Sequence, residues 1–139
     1  MKQIDLLLSS GDLASLNGLN TADAAVEICR IHFRRENSGA TFPKSPNRAD
    51  LCVAFPGAPA FDVEVKGTEE TGIAWNQFKV SGNPSFELLK KGMPLYRVSS
   101  IGSPRVSIFV LKYGEDFEMT PEPRWRIHPV KKAGKSGAS

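Results

Sequence analysis

Residues 61–68 read Phe-Asp-Val-Glu-Val-Lys-Gly-Thr, and the alternation of apolar and charged side chains in this stretch decides the fold that we predict. Successive side chains along a β-strand point to opposite faces of the sheet. The two valines therefore face a core, while Asp62, Glu64 and Lys66 share the other face. Because burial of unpartnered charges is costly, this charged line indicates either a solvated face or a functional site.

A second strand precedes this one and forms a hairpin with it. Residues 49–55 are rich in strand-forming side chains, and Pro56-Gly57-Ala58-Pro59 supplies the turn. In an antiparallel hairpin, Asp50 on the first strand comes within range of Glu64 on the second. The hairpin thus brings two carboxylates and, through Lys66, an amine to one cleft.

A third acid lies on a helix predicted for residues 21–37. Apolar side chains recur there at helical spacing, and Asn20 or Thr21 can cap the start. Glu27 lies on this helix, where it can face the same cleft. The alternative is an ion pair between Glu27 and Arg30 along a solvated face.

The remaining patterns complete one domain of the α/β (α+β) class, with a mixed sheet flanked by helices. The main elements are predicted in the order α-β-β-β-α-β-β. We expect a single domain over residues 1–130 and a disordered basic tail over residues 131–139. The further predicted elements are a short helix at 4–9, a strand at 40–42, an extended segment at 73–75, a short helix at 77–80, a helix from Asn83 to about Gly92, and strands at 95–100, 105–112 and 125–130.

Composition excludes few classes of function. The 139 residues, 40% of them apolar and 24% charged, suit one folded globular domain. The net charge of +3 is too small to identify a partner, but residues 123–139 carry five basic side chains and no acid. Such a basic end suits contact with a polyanion, or serves only as a solubilising tail.

Cysteine spacing and hydropathy bear on the compartment. Cys29 and Cys52 lack the CxxC spacing of a zinc site and are expected to be buried. No apolar run approaches the roughly 18 residues of a membrane span, and the run near the start is too short for a signal peptide. We therefore expect a soluble protein of the cytoplasm, a reducing compartment, with no membrane partner.

Carboxylates gathered in one cleft favour a divalent cation, because the cation relieves their mutual repulsion. Mg²⁺ takes oxygen ligands, often one or two carboxylates with water and phosphate in the remaining positions. Such a cation lowers the pKa of water and offsets charge on a phosphate, and a nearby lysine can hold the water or stabilise the phosphate. The spacing Glu64-x-Lys66 is common by itself, but its place after Asp50 on the preceding strand and Glu27 on the helix predicts a Mg²⁺ site at which Mn²⁺ can substitute. Two alternatives stay open: an exposed charge pair for Glu64 and Lys66, and a turn-capping role for Asp50.

The order of these motifs resembles the PD-(D/E)XK nuclease superfamily, over roughly residues 21–112. Within it, the chain is similar to the restriction-related, Mrr-like group and to the C-terminal domain of protein NO VEIN. Ala49 stands where the name of the motif has proline, a position that varies widely in the superfamily. The matching segments are Asp50, Glu64-Val65-Lys66-Gly67-Thr68, Ile73-Ala74-Trp75, Asn76-Gln77 and Leu95-Tyr96-Arg97-Val98.

The resemblance implies a restriction-endonuclease-like fold and a role for each matching position. Asp50 and Glu64 are the expected metal ligands, with the Val65 carbonyl as a third. Lys66 is expected to orient the attacking water. Glu27 matches the first-helix acid that many members have, and is expected to join the catalytic group.

Nucleic-acid contacts are expected from side chains around the cleft, where positive charge gives salt-sensitive, sequence-independent affinity. Gln77 and Lys79 are similar to a Q-x-K sequence that follows the core in some members, although both also suit a helix surface. Trp75 is assigned to the core in preference to a base-stacking surface. The expected contact residues are Lys44, Arg48, Thr68, Gln77 and Lys79.

The function that the sequence predicts is a Mg²⁺-dependent endonuclease. Its substrate would be nucleic acid, with DNA favoured, in restriction, defence or DNA processing. One alternative is a module of the same fold that binds nucleic acid without cutting it. Another is a small protein-interaction domain whose charged line is surface decoration. A homodimer is a further option, since nucleases that cut both strands often dimerise.

Overall fold

The computed structural model describes residues 1–80, 83–120, 128–132 and 135–136. Within these ranges, a five-stranded mixed sheet and three α-helices confirm the predicted α/β class. In chain order the elements are β1 (Lys2–Leu7), α1 (Ser10–Leu16), α2 (Thr21–Glu36), β2 (Leu51–Val53), β3 (Phe61–Gly67), a 3-10 turn (Trp75–Gln77), α3 (Asn83–Lys90), β4 (Leu95–Ser99), β5 (Arg105–Leu111), β6 (Lys131–Lys132) and β7 (Lys135–Ser136).

The main sheet has the strand order β1-β5-β4-β3-β2. β3 runs parallel to β4, and the other neighbouring pairs are antiparallel. A parallel pair needs a crossover, which here contains α3. Among the residues that the structure describes, β6 and β7 pair only with each other.

Helix α2 covers one face of the sheet. The Asn20 side chain accepts a hydrogen bond from the Asp23 N–H (2.8 Å) and begins the helix. Its apolar stripe packs on the valines of β3 in the larger hydrophobic core. Gly67 permits this close packing, because a Cβ there would lie 2.7 Å from the Ala25 Cβ. The buried members of the stripe are Ala24, Ala25, Ile28, Cys29, Ile31, His32 and Phe33.

Helix α3 packs on the opposite face, which also bears the charged line. Leu89 from this helix joins Leu95 of β4 and Leu111 of β5 in a second, smaller core. Ile73 and Phe78 from the connection between β3 and α3 pack against the same cluster. The segment after β3 therefore lies against the α3 face of the sheet.

Two predictions for the first part of the chain were wrong. The short helix predicted at residues 4–9 is strand β1, which pairs with β5 near the other end of the chain. The strand predicted at residues 40–42 is reduced to one bridge between Thr41 and Ala54. The predicted order α-β-β-β-α-β-β therefore omits two elements that the structure has before α2, strand β1 and the short helix α1.

The segment between β3 and α3 also differs from the prediction. A 3-10 turn occupies Trp75–Gln77, and residues 78–80 are not helical. In the tail, the described residues form β6 and β7 and the remaining residues lie outside the described ranges, so disorder over residues 131–139 stays a prediction. An edge strand was predicted at residues 125–130. Residues 125–127 lie outside the described ranges, and residues 128–130 are not in a strand.

Candidate active site

The charged line of β3 lies on the α3 face, as its alternation predicts. Val63 and Val65 are buried against α2. Glu64, on the other side, is only 3% exposed, and Lys66 is half-buried. Burial of this kind contradicts the alternative of an exposed charge pair for Glu64.

A short turn positions Asp50 at the start of β2. The buried Ser45 hydroxyl accepts hydrogen bonds from the backbone N–H of Asn47 (3.2 Å) and of Ala49 (3.1 Å). Arg48, between them, adopts a left-handed backbone with φ 59°. A side-chain hydroxyl that closes the turn in this way substitutes for a backbone acceptor. The turn therefore directs the chain into β2 with Asp50 at its entrance.

Asp50 lies opposite Glu64 across the hairpin. Leu51 is paired with Val63, so the next step of the antiparallel register sets Asp50 beside Glu64. The Val65 N–H donates to Asp50 Oδ2 at 2.9 Å, which fixes the orientation of the carboxylate. Asp50 therefore orients toward β3 as well as ending the turn.

The two carboxyl groups share a hydrogen bond, and the pKa of Glu64 is raised to about 7. Burial is the largest cause, followed by the negative charge of Asp50 and the hydrogen bond between the two groups. The charge of Lys66 and a hydrogen bond from Ser85 on α3 act in the opposite direction. A hydrogen bond between two carboxyl groups requires a proton, so Glu64 carries one below about pH 7.

The pair has the donor chemistry that a divalent cation needs. A cation can replace the shared proton, and Mg²⁺ proteins often supply one or two carboxylates with water and phosphate completing the shell. The N–H groups of Glu64 and Thr68 donate to carbonyls on the β4 side of β3. Because the backbone groups of successive strand residues point to alternate sides, the N–H and C=O of Val65 point to the other side, where Asp50 lies. Among the described residues, no group of three or more His, Cys, Asp or Glu side chains is arranged to hold a metal ion. The two-carboxylate set thus fits Mg²⁺ and lacks the ligands of a closed protein cage.

Asp62 extends the acidic line away from this pair. The Asn47 side-chain amide donates to Asp62 Oδ2 at 2.9 Å, which ties the Ser45 turn to β3. Asp62 Oδ1 is buried without a hydrogen-bond partner among the described atoms. Cys52 stands opposite Asp62, and burial followed by the effect of the neighbouring Asp62 carboxyl raises the pKa of its thiol.

Glu27 is engaged elsewhere in the structure. Glu27 Oε2 lies 3.1 Å from Arg30 Nη1, and Oε1 lies 3.3 Å from Arg34 Nη1. Both arginines lie on the same helix as Glu27, so the contacts of Glu27 are those of the ion-pair alternative. A catalytic role for Glu27 stays a prediction without a contact in its favour.

The expected nucleic-acid contacts fall into two groups. Lys44, Arg48 and Lys79 are exposed and can reach a polyanion. Thr68 is buried, and its hydroxyl accepts a hydrogen bond from the Glu70 N–H (3.2 Å), so little of it faces a ligand. Gln77 ends the 3-10 turn. These roles in binding remain predictions.

Three residues that the sequence analysis did not assign to the site help to build it. Ser45 closes the turn before Asp50, and Ser85 contacts Glu64. Arg97 on β4 is 3% exposed and donates hydrogen bonds to the Gly67 carbonyl at the end of β3 and to two carbonyls of the segment after β3. The Ser-Pro-Asn sequence at residues 45–47 is typical of a turn and could have indicated Ser45. Ser85 acts across the fold, so no local pattern marks it, whereas Arg97 lies in the matching segment Leu95-Tyr96-Arg97-Val98, which gave no role for its side chain.

No helix among the described residues is long and apolar enough to cross a membrane. Comparison of the chain with protein-family models, with curated proteins and with solved structures found no match.

Proposed function

We propose that this chain is a metal-dependent endonuclease of the PD-(D/E)XK type, acting on nucleic acid, with DNA as the favoured substrate. The observation that carries the proposal is the pair Asp50–Glu64. The exposed Asp50 carboxyl, directly before β2, and the buried Glu64 carboxyl, on β3, share a hydrogen bond, and Lys66 lies two residues along β3 from Glu64 on the same face. Perturbed ionisable groups of this kind are concentrated at functional sites.

The arrangement of elements also supports the proposal. An antiparallel hairpin of β2 and β3, a crossover helix and a parallel β4 follow one another after a long helix. The superfamily that the sequence resembles has its aspartate on the first strand of such a hairpin and its E-x-K on the second. In this chain Asp50 directly precedes β2, and Glu64 and Lys66 lie on β3.

Each side chain has a defined task under this proposal. Asp50, held by the Val65 N–H, and Glu64, held by Ser85, would bind the cation through carboxylate oxygens. A bound Mg²⁺ or Mn²⁺ supplies a lowered pKa for water and charge compensation on the phosphate. Lys66 orients the attacking water and stabilises negative charge on the phosphate oxygens. In-line attack on phosphorus then breaks the bond to the leaving oxygen.

Plasmid nicking tests the proposal directly. Supercoiled plasmid incubated with the protein and Mg²⁺ or Mn²⁺ should be nicked, whereas Asp50→Ala and Lys66→Ala proteins should leave it intact. Asp23→Ala, which removes an exposed carboxylate from α2, is the matched control. Circular dichroism checks that each variant is folded. Absence of nicking at any salt or metal concentration, with folded wild-type protein in excess, would overturn the proposal.

Binding measurements separate the two alternatives. A non-catalytic module of the same fold binds DNA in a salt-dependent manner without cutting it. A protein-interaction domain binds neither Mn²⁺ nor DNA. The proposal also places the protein in the cytoplasm, in restriction, defence or DNA processing, and leaves monomer or homodimer to sedimentation analysis.

A further inference from the structure

Trp75 does not lie in the core, contrary to the sequence-based assignment. Its surface is 53% exposed, in the segment that connects β3 to α3. Its neighbours in that segment, Ile73 and Phe78, pack into the smaller core on the α3 face. The indole is therefore an exposed aromatic group on an otherwise anchored segment.

Arg97 provides the anchor. Its Nε donates to the Ile73 carbonyl at 2.7 Å, and its two Nη atoms donate to the carbonyls of Gly67 (3.2 Å) and Ala74 (3.3 Å). Its guanidinium carbon lies 4.4 Å from the centroid of the Phe78 ring. A planar cation with several fixed donors can hold a segment in this way, which the single ammonium of a lysine cannot.

The backbone beside Trp75 is held in an uncommon conformation. Ala74 has φ 54° and ψ 58°, in the left-handed region that residues with a Cβ rarely adopt. Such strain persists only where the surroundings determine it, and the bond from Arg97 to the Ala74 carbonyl does so here. The Trp75 ring lies 5.7 Å from that of Phe78, at an interplanar angle of 38°. The exposed ring is therefore held in place from beneath.

This anchored ring is linked to the proposed active site through Phe78 and Arg97. Arg97 is directly opposite Lys66 in the parallel register of β3 and β4. Lys66, Arg97, Phe78 and Trp75 thus form a continuous series of neighbours on one face of the sheet. Exposed aromatic rings of proteins that bind single-stranded nucleic acid stack on successive bases.

We propose that Trp75 stacks on an unpaired base of a single-stranded segment whose backbone reaches the Asp50–Glu64–Lys66 site. The choice of nucleic acid as the ligand rests on the proposed function. In a duplex, neighbouring bases cover each π-face, so stacking on Trp75 requires an unpaired or displaced base. The substrate class is therefore single strands, flaps, overhangs or other structures with an unpaired base near the cleaved bond. Arg97 is the positioning residue of this contact.

Binding without cleavage tests the inference. Fluorescence anisotropy is measured in EDTA with a labelled single-stranded oligonucleotide and with a blunt duplex of the same sequence. Trp75→Ala should weaken single-strand binding about tenfold, within the range for loss of one aromatic stacking partner, while Trp75→Phe retains most of it. Duplex binding should be unchanged. In a Trp125→Phe background, which leaves Trp75 as the sole tryptophan, the oligonucleotide should quench the fluorescence.

Each other outcome overturns the inference. Equal single-strand binding by wild type and Trp75→Ala does so, as does an equal loss for single strand and duplex. Loss of concentration-dependent self-association in Trp75→Ala, without loss of single-strand binding, would show a contact between copies of the chain. If the Trp75→Ala protein still nicks plasmid and binds single strands as tightly as the wild type, this inference is wrong. The proposed function would then be unaffected.

The role of Arg97 has a separate readout. Arg97→Lys keeps the charge but loses the planar set of donors, so it should reduce the oligonucleotide-induced quenching of Trp75 while circular dichroism shows a folded protein. If Arg97→Lys retains wild-type quenching and affinity, Arg97 does not position the ring.

Discussion

Glu64 and Asp50 share one hydrogen bond between their carboxyl groups across the start of the β2–β3 hairpin, at a point where Glu64 is almost fully buried. The Val65 N–H holds Asp50 from one side, and Ser85 contacts Glu64 from α3. Both carboxyls are thus fixed before any ligand binds. A pair of this kind couples the stability of the protein, its affinity for cations and its pH dependence.

Stability in the absence of divalent cations should fall as the pH rises from about 4.5 to 7. The unfolded chain releases the Glu64 proton near the ordinary value of 4.5, whereas the folded chain holds it until about pH 7. Protons bound by the folded state alone favour folding at low pH, and that advantage is lost as the pH passes the folded-state pKa. The loss is at most a few kcal/mol, because a tenfold change in proton affinity corresponds to about 1.4 kcal/mol. Urea unfolding in EDTA at a series of pH values measures it.

The matched variants for this experiment are Glu64→Gln and Glu69→Gln. Glutamine cannot ionise, so the first should remove this fall in stability, while the second removes an exposed carboxylate and should keep it. Parallel pH profiles for wild type and Glu64→Gln would contradict the assignment of the buried proton to Glu64.

Binding of a cation should release that proton. At pH 6 the pair holds one shared proton, and a carboxylate must lose its proton to ligate a metal. We expect Mn²⁺ binding to release about one proton per ion at pH 6 and close to none at pH 8. Calorimetric titration in buffers of different ionisation enthalpy measures the number directly. Asp50→Asn should abolish binding, and Asp23→Asn should not; a proton count independent of pH would exclude binding at this pair.

Lys66→Ala should separate binding from cleavage. The lysine charge lowers the pKa of Glu64, so its removal raises that pKa further and shifts the pH midpoint of Mn²⁺ binding upward. Cleavage should fall by at least about 100-fold, the usual effect of losing one group that stabilises transition-state charge. Calorimetry and plasmid nicking on the same preparation test both parts. An unchanged midpoint would place the ammonium group too far from Glu64 to act on it.

Local sequence pattern predicted the parts of the fold that have strong periodicity. The apolar stripe of α2, the hairpin around Pro56-Gly57 and the apolar run of β5 each carry their own signal, and each element formed within two residues of its predicted bounds. β1 was assigned to a helix because Ile4-Asp5-Leu6 suits either state. Its pairing partner, β5, lies about one hundred residues away, and no local window contains that contact.

The candidate site divides in the same way. Strand alternation predicted that Glu64 and Lys66 share a face, and hairpin register brought Asp50 beside them. The sequence left two alternatives for Glu27, the cleft or an ion pair along the helix. In the structure Glu27 contacts Arg30 and Arg34 of the same helix. The contact of Ser85 with Glu64 and the hydrogen bonds of Arg97 join distant parts of the chain, and the sequence did not predict them.

Gly67→Ala should destabilise the protein by about 1–3 kcal/mol, as overpacking of a well-packed core does. A Cβ at this position would lie 2.7 Å from Ala25 Cβ, 2.7 Å from Ile101 Cδ1 and 3.0 Å from the Thr21 carbonyl oxygen, so α2 would have to move away from β3. Urea unfolding of Gly67→Ala and of Gly11→Ala, whose nearest neighbouring atom is 3.8 Å away, gives the comparison.

A second-site change tests whether helix packing is the cause. Ala25→Gly removes one of the three contacts that the new methyl group makes, so the double variant Ala25→Gly/Gly67→Ala should lose less stability than the sum of the two single variants. Strictly additive losses would show that the two positions do not meet. Because Gly67 directly follows Lys66, displacement of α2 from β3 should also alter the charged line, and Gly67→Ala should weaken Mn²⁺ binding where Gly11→Ala does not.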